Sequence, residues 1–283
     1  MPLHRRQFLH VTAGLAGASL GFPLRQAVAA APAARIRIGS CRLGLEDAQR
    51  AGLDGVEISA GGAADTLAVA DPAVRQKYKA QMQATGLAIS SFMMGVLNSH
   101  PLATEPRAPA WLEQAIDAAR DLGAKVILVA FFGKGDLQAD GKPKAADVDV
   151  VVRRLRAAAP QAEKAGVALA IENRLTARQN VELLERIGSP AARIYYDVGN
   201  TTALGYDAAA EIRFLRERIV CVHFKDGPHY LGEGKVPYPP IAAALKDIGY
   251  QGWIVLETSN PSTDGVADAR RNADFVRRLF GMA

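Results

Sequence analysis

Val167-Ala-Leu-Ala-Ile-Glu-Asn173 decides how the rest of this chain is read. The run is too short for a stable helix, and its side chains alternate: Leu169 and Ile171 share one face, Ala168, Ala170 and Glu172 the other. Three later runs repeat the arrangement. In Arg193–Val198, Ile194 and Tyr196 oppose Tyr195 and Asp197; in Ile219–Lys225, Val220, Val222 and Phe224 oppose Cys221 and His223; in Trp253–Thr258, Ile254 and Leu256 oppose Val255 and Glu257. The bulkier faces suit a covering layer of helices, so the opposite faces point inward, and each inward set ends in a metal-competent side chain.

Four earlier runs, Ile36–Cys41, Gly55–Ser59, Leu87–Met94 and Lys125–Phe132, bring the number of strand candidates to eight. Helical periodicity separates them at Pro72–Thr85, Ala108–Leu122, Val148–Ala165, Ala177–Ile187, Ala208–Glu217, Pro240–Ile248 and Val266–Phe280. Alternation of this kind makes a parallel sheet, and eight strands close a (β/α)₈ TIM barrel. Thr85-Gly86, Leu122-Gly123, Ala165-Gly166 and Ile248-Gly249 read as helix stops. An open doubly wound sheet uses the same alternation. The first strand, however, continues as Gly39-Ser40-Cys41-Arg42-Leu43-Gly44, without the glycine fingerprint of a dinucleotide fold.

The 283 residues are 49% hydrophobic and 22% charged, enough for one enzyme-sized domain. Residues 1–30 read as a twin-arginine signal peptide: Arg5-Arg6-Gln7-Phe8-Leu9, a glycine-diluted apolar stretch too short to anchor in a membrane, and small residues near Ala29 to Ala31 for cleavage. The expected mature domain is 31–283, periplasmic or secreted, meeting the twin-arginine export machinery only in transit. Without Arg5, Arg6 and Arg25 the net charge falls from +5 to +2, and the remaining basic residues are dispersed over helices, which argues against nucleic acid as a partner. Cys41 and Cys221 fall on the first and seventh strands, about 9–10 Å apart at two strand spacings, so two free thiols are expected.

Glu172, Asp197, His223 and Glu257 therefore arrive together at the C-terminal mouth of strands five to eight, where barrel enzymes build their sites. Any one of them alone is ordinary strand-end chemistry. Three carboxylates in phase with an imidazole instead make a hard, oxygen-rich set that suits one divalent cation, Mn²⁺ foremost, with Mg²⁺ and Co²⁺ as alternatives. Around them, Glu57 reads as a contact to substrate hydroxyls or an ion-pair partner, and Lys225 with Asp226 as substrate-orienting groups or a loop ion pair. Arg174 is positioned in sequence to meet an anionic substrate, and of the loop histidines His100 and His229, each readable as an ordinary solvated side chain, His100 is taken as a substrate-binding candidate. Trp111 and Trp253 read as packing residues.

At these residues the chain resembles the xylose isomerase-like TIM-barrel superfamily, sugar isomerases and epimerases whose relatives include inosose dehydratases and endonuclease IV. Gly55-Val56-Glu57, Ala119–Val126, Ile171-Glu172-Asn173, Asp197-Val198-Gly199-Asn200, His223-Phe224-Lys225-Asp226, Leu231-Gly232-Glu233-Gly234 and Gly249–Glu257 carry the resemblance across the mature chain. It implies that Glu172, Asp197, His223 and Glu257 are metal ligands, that Glu172 and Glu257 also move the proton, and that Asn200 replaces a substrate-contacting histidine common in relatives. The implied activity is epimerisation or isomerisation of an unphosphorylated keto-sugar or polyol through an enediolate. A lyase using the same enolate to expel a β-leaving group and a non-catalytic sugar-binding barrel remain alternatives. A three-zinc nuclease is excluded by a histidine supply of His100, His223 and His229.

Overall fold

The computed structural model describes residues 36–282, so the expected export signal lies outside the described residues. Eight parallel strands close a barrel: β1 (Arg37–Ser40), β2 (Gly55–Ser59), β3 (Ala88–Met93), β4 (Val126–Ala130), β5 (Ala168–Glu172), β6 (Ala192–Asp197), β7 (Ile219–Phe224) and β8 (Trp253–Leu256), each beside its sequence neighbours, with β1 paired to β8. The expected (β/α)₈ barrel is the fold observed.

Helices α1 (Leu45–Arg50), α2 (Pro72–Thr85), α3 (Ala108–Leu122), α4 (Ala145–Ala165), α5 (Ala177–Ile187), α6 (Val198–Ala203), α7 (Ala208–Leu215), α8 (Tyr238–Asp247) and α9 (Gly265–Phe280) connect the strands. Their ends follow local chemistry. The Asp71 carboxylate accepts from the Ala73 amide ahead of α2, and Thr176 and Gln179 form a reciprocal capping box at α5. Helices α2, α3 and α4 stop at Gly86, Gly123 and Gly166, whose φ values of 72°, 74° and 64° carry no Cβ penalty. Two short helices escaped the sequence reading. α1 has only Leu45 and Ala48 buried, too little for a periodic signal, and α6 begins because the Asp197 carboxylate caps the amide of Asn200 at 2.7 Å.

The strand faces sort as the alternation predicted except at Val220, expected on the helix side, which packs against the interior cluster at the register shift between β6 and β7. Leu169, Ile171, Ile194, Val222, Phe224, Ile254 and Leu256 belong to the layer between barrel and helices, while Ala170, Tyr195, Cys221, Trp253 and Val255 pack inside the barrel. Cys41 and Cys221 are free thiols. Trp253 fills the N-terminal end of the interior, with the Arg37 guanidinium 4.1 Å from its ring centroid. Trp111 is fully buried, and its indole N–H donates to the Ala64 carbonyl at 2.8 Å. Both are packing residues, as expected.

Room for the Trp253 ring comes from β2. A Cβ on Gly55 would lie 2.2 Å from the Ala88 carbonyl oxygen and 2.7 Å from Trp253 Cη2. The first obstacle is backbone and cannot rotate away. Gly55→Ala is expected to destabilise the protein by about 1–3 kcal/mol, the usual cost of overpacking, read as a lower urea midpoint at unchanged m-value.

Candidate active site

Each inward row ends at the barrel mouth in a polar group. Glu172 and Asp197 are the last residues of β5 and β6, His223 is next to last in β7, and Glu257 follows β8 with its amide donating to the Phe224 carbonyl at 3.0 Å. Pairing aligns Asp197 with His223, and His223 with Val255. One donor atom from each of Glu172, Asp197, His223 and Glu257 falls within 4.8 Å of all the others. His223 Nδ1 lies 3.5 Å from Glu172 Oε1, 3.4 Å from Glu257 Oε2 and 3.8 Å from Asp197 Oδ2.

The opposite edge of the imidazole is held by a residue from the other side of the barrel. His223 Nε2 donates to Glu57 Oε1 at 3.1 Å, while Glu57 Oε2 accepts from Ser91 Oγ at 2.6 Å and from the Tyr195 hydroxyl at 2.9 Å. A carboxylate cannot donate, so this contact puts the proton on Nε2 and leaves Nδ1 to face the other three acids. Glu57, expected to touch substrate hydroxyls or to pair with a neighbouring cation, is buried and bonded to the His223 imidazole, in line with the second of these readings. Tyr195 and Ser91 were missed by the sequence reading. Strand parity already pointed Tyr195 inward, but the pairing of Ser91 with Glu57 depends on a register shift after Val56 that no sequence pattern announces.

Lys225 supplies the balancing charge. Its Nζ lies 2.8 Å from both Asp197 Oδ2 and Glu257 Oε2. Bare Gly199 leaves space for its stem, since a Cβ there would come within 2.5 Å of Lys225 Cγ. Asn200 Nδ2 donates to Glu172 Oε1 at 3.4 Å. Asp197 divides its carboxylate: Oδ1 caps α6, whereas buried Oδ2 accepts no well-aligned hydrogen bond, even from the nearby ammonium.

These surroundings split the acids. Burial, reinforced by Asp197 and Glu257, pushes the Glu172 carboxyl up to about 7 against the pull of His223. Burial acts on Glu257 as well, but His223 and Lys225 together outweigh it and hold its carboxyl below the usual range. For His223 the cost of burying the charged ring is exceeded by attraction to Glu57 and Glu172, so its affinity for a proton is raised.

Other expected site residues have partners outside the acid cluster. Arg174 pairs with Asp136 at 3.0 Å. His100 bonds Ser99 at 3.0 Å through Nδ1 and packs edge-on to Trp111. Asp226 is buried in the β7–α8 connection, where it accepts from the Gly232 and Gly234 amides at 3.0 and 2.9 Å and from that of Val236 at 3.0 Å. Its oxygens are taken by its own loop, it also lines the cavity beside Lys225, and among the described residues no lysine or arginine pairs with it.

A closed parallel barrel with three acids and a histidine gathered at its C-terminal mouth defines a class of barrel built for polar small-molecule chemistry. Residues 45–279 match the family model described as xylose isomerase-like TIM barrel, and the chain belongs to that family. It is 30% identical over 239 residues to the putative L-ribulose-5-phosphate 3-epimerase SgbU of Escherichia coli (strain K12), covering 74% of this chain and 80% of that one. Among solved structures it resembles an L-ribulose 3-epimerase with a TM-score of 0.72 at 23% identity, covering 87% of this chain and 95% of the other. It also resembles the apo form of the 3-keto-D-glucoside 4-epimerase YcjR of E. coli, with a TM-score of 0.73 at 17% identity over 86% of this chain and all of that one. The two structures establish the likeness of fold.

The network around Glu57 has a measurable value. Tyr195→Phe removes one of two hydroxyl donors to a buried oxygen of Glu57, and hydrogen bonds to charged groups contribute about 1.5–3 kcal/mol. A loss of that size is expected in urea unfolding.

Proposed function

We propose that this protein is a divalent-metal-dependent epimerase or isomerase of an unphosphorylated keto-sugar or polyol. The observation that carries the reading is the convergence of Glu172, Asp197, His223 and Glu257 within one cation's reach. The donor set fits a cation physically: carboxylates crowd a buried imidazole, Asp197 Oδ2 has no well-aligned donor, and Lys225 alone contributes a fixed positive charge to Asp197 and Glu257. Its hardness favours Mn²⁺, with Mg²⁺ or Co²⁺ able to substitute. When bound, such an ion would polarise the substrate carbonyl and acidify the neighbouring C–H.

The chain's own residues then move the proton. Glu172 and Glu257 arrive from strands three apart in the barrel, so one carboxylate would remove the proton and the other, protonated from solvent, would deliver a proton to the opposite face of the enediolate. Lys225 keeps Glu257 ionised, Asn200 orients Glu172, and Glu57 fixes the tautomer of His223. The names of the relatives, sugar epimerases, support the same chemistry. The first test is incorporation of solvent deuterium into substrate with Mn²⁺ present. Glu257→Gln should lower exchange by about 10²–10⁴-fold while the melting temperature of the metal-free protein shows it still folds. Normal exchange in that variant would remove Glu257 from the proton transfer.

Metal binding should depend on pH in a defined direction. A ligating Glu172 must give up its proton, which it holds up to about pH 7, and His223 must free Nδ1. Affinity is therefore expected to fall by about tenfold or more per unit as pH drops below 7, measured by calorimetric titration of Mn²⁺ at pH 5.5–8. The metal-free protein carries the opposite contribution from Glu172: its raised proton affinity stabilises the fold most below about pH 4.5, and that contribution is lost as pH rises through 7. The melting-temperature gain from Mn²⁺ is thus larger at pH 8 than at pH 6.

We also propose export by the twin-arginine route to the periplasm or outside the cell, on the strength of Arg5-Arg6-Gln7-Phe8-Leu9 and the small residues near Ala29. Fractionation with a C-terminal tag checks it: a shortened periplasmic or secreted product is expected, and full-length protein in the cytoplasm overturns it.

A further inference from the structure

Beside the clustered acids, helix α6 and the β7–α8 connection enclose a cavity of about 630 Å³. Two residues belong to both places. Lys225 and Asn200 line the cavity, and each also bonds an acid of the cluster, Glu257 and Glu172 respectively. A substrate whose reacting carbons lie over those acids has this space as its continuation. Pockets of about 300–1,000 Å³ enclose ligands of drug size, so the cavity has room for more than one monosaccharide.

Its walls describe what fits. Gly199, Thr202 and Ala203 give one side low relief; on the other, Gly227, Pro228 and Val236 supply carbon surface, and Asp226 also lines the cavity with both carboxylate oxygens taken by the amides of Gly232, Gly234 and Val236. His229 and Lys235 stand exposed at the rim. Carbon walls with a sparse polar margin suit the C–H face of a second sugar ring. A phosphate would draw on converging backbone amides or cations, but the amides of Gly232, Gly234 and Val236 already bind the Asp226 carboxylate and the Lys225 ammonium is held by Asp197 and Glu257, which leaves Lys235 and His229 at the rim.

The wall is also preformed. The Leu231 amide donates to Asn272 Oδ1 at 3.0 Å, the Tyr230 hydroxyl to Asp268 Oδ1 at 2.7 Å, and Gly232 sits against Phe275 where a Cβ would clash at 2.5 Å. Binding need not order this loop, so little of the interaction energy is lost to it.

We propose that the cavity is a subsite for the glycosidically linked part of the substrate, which is therefore a keto-glycoside with an uncharged second ring. This rests on the epimerase reading above and extends it. A glycosidic bond consumes the anomeric carbonyl, so the carbonyl presented to Glu172 and Glu257 is a ketone on a ring carbon.

The test compares solvent-deuterium incorporation into a free keto-hexose, a disaccharide bearing the same oxidised ring, and a ketose phosphate, all with Mn²⁺-loaded protein. The expected result is a kcat/KM at least tenfold higher for the keto-disaccharide, arising mainly in KM, with that advantage erased in Ala203→Trp. Thr202→Trp serves as a second filling variant, and thermal unfolding confirms that each variant folds. Equal kcat/KM for free and linked sugar, a preference for the phosphate, or an advantage that survives both folded variants overturns the proposal. If no probe exchanges deuterium, the epimerase reading fails, and calorimetry decides the cavity by itself. Tighter binding of the keto-disaccharide than of the keto-hexose, lost in the filled variants, sustains the subsite, and equal binding overturns it.

Discussion

The structure is organised around a crowd of negative charge that it has to tolerate. Glu57, Glu172, Asp197 and Glu257 all approach His223 at the mouth of the barrel, and the first three are almost completely buried. Like charges at such range repel strongly in a weakly polar interior, and each also loses hydration. The acids are relieved in different ways. Glu57 is surrounded by donors from Ser91, Tyr195 and His223, so its charge is consumed internally. Glu172, Asp197 and Glu257 receive only partial compensation from Lys225, Asn200 and the imidazole, and their remaining oxygens face a common point. A cation at that point, as proposed, would complete the electrostatics. The same unmet demand that costs stability gives the site its capacity for chemistry.

The barrel separates this demand from the groups that hold the fold together. Trp253, with the space left by Gly55, closes the N-terminal end, while the carboxylates occupy the C-terminal end of the same strands. Loops around the mouth are shaped by acids that do not join the cluster. Asp226 binds three amides of its own connection, and Asp268 ties that connection to α9 through Tyr230. These buried carboxylates act as internal anions in places where a loop of another composition would offer free amides to a ligand. Substrate class is thereby influenced by residues that the site's ligand set does not include.

Membership of the xylose isomerase-like family and the names of its relatives agree with sugar epimerisation, but those names span phosphorylated and unphosphorylated sugars. Under the proposed function, the cluster on strands β5 to β8 would carry the proton chemistry. Beside it, helix α6 and the β7–α8 connection wall the neighbouring cavity, and under the subsite proposal these residues would separate one substrate from another.

Strand alternation was sufficient to foretell the eight-stranded barrel and the shared mouth of Glu172, Asp197, His223 and Glu257. A period of two is a strictly local property, and a one-residue slip would have sent every acid into the helix layer. The same local rules located the glycine-capped ends of α2, α3 and α4. They could not assign Glu57, which lies on β2 and reaches His223 on β7 only because the sheet closes on itself, or Ser91, whose approach depends on an irregular register between β2 and β3. Arg174 and Asp226 looked available in the sequence and are taken by Asp136 and by loop amides. The sequence by itself determined which side chains face inward and which kind of chemistry they can share. Only the tertiary structure decided which of them are already satisfied by one another, since a hydrogen-bond partner far along the chain is a matter of closure and register, and no residue pattern encodes it locally.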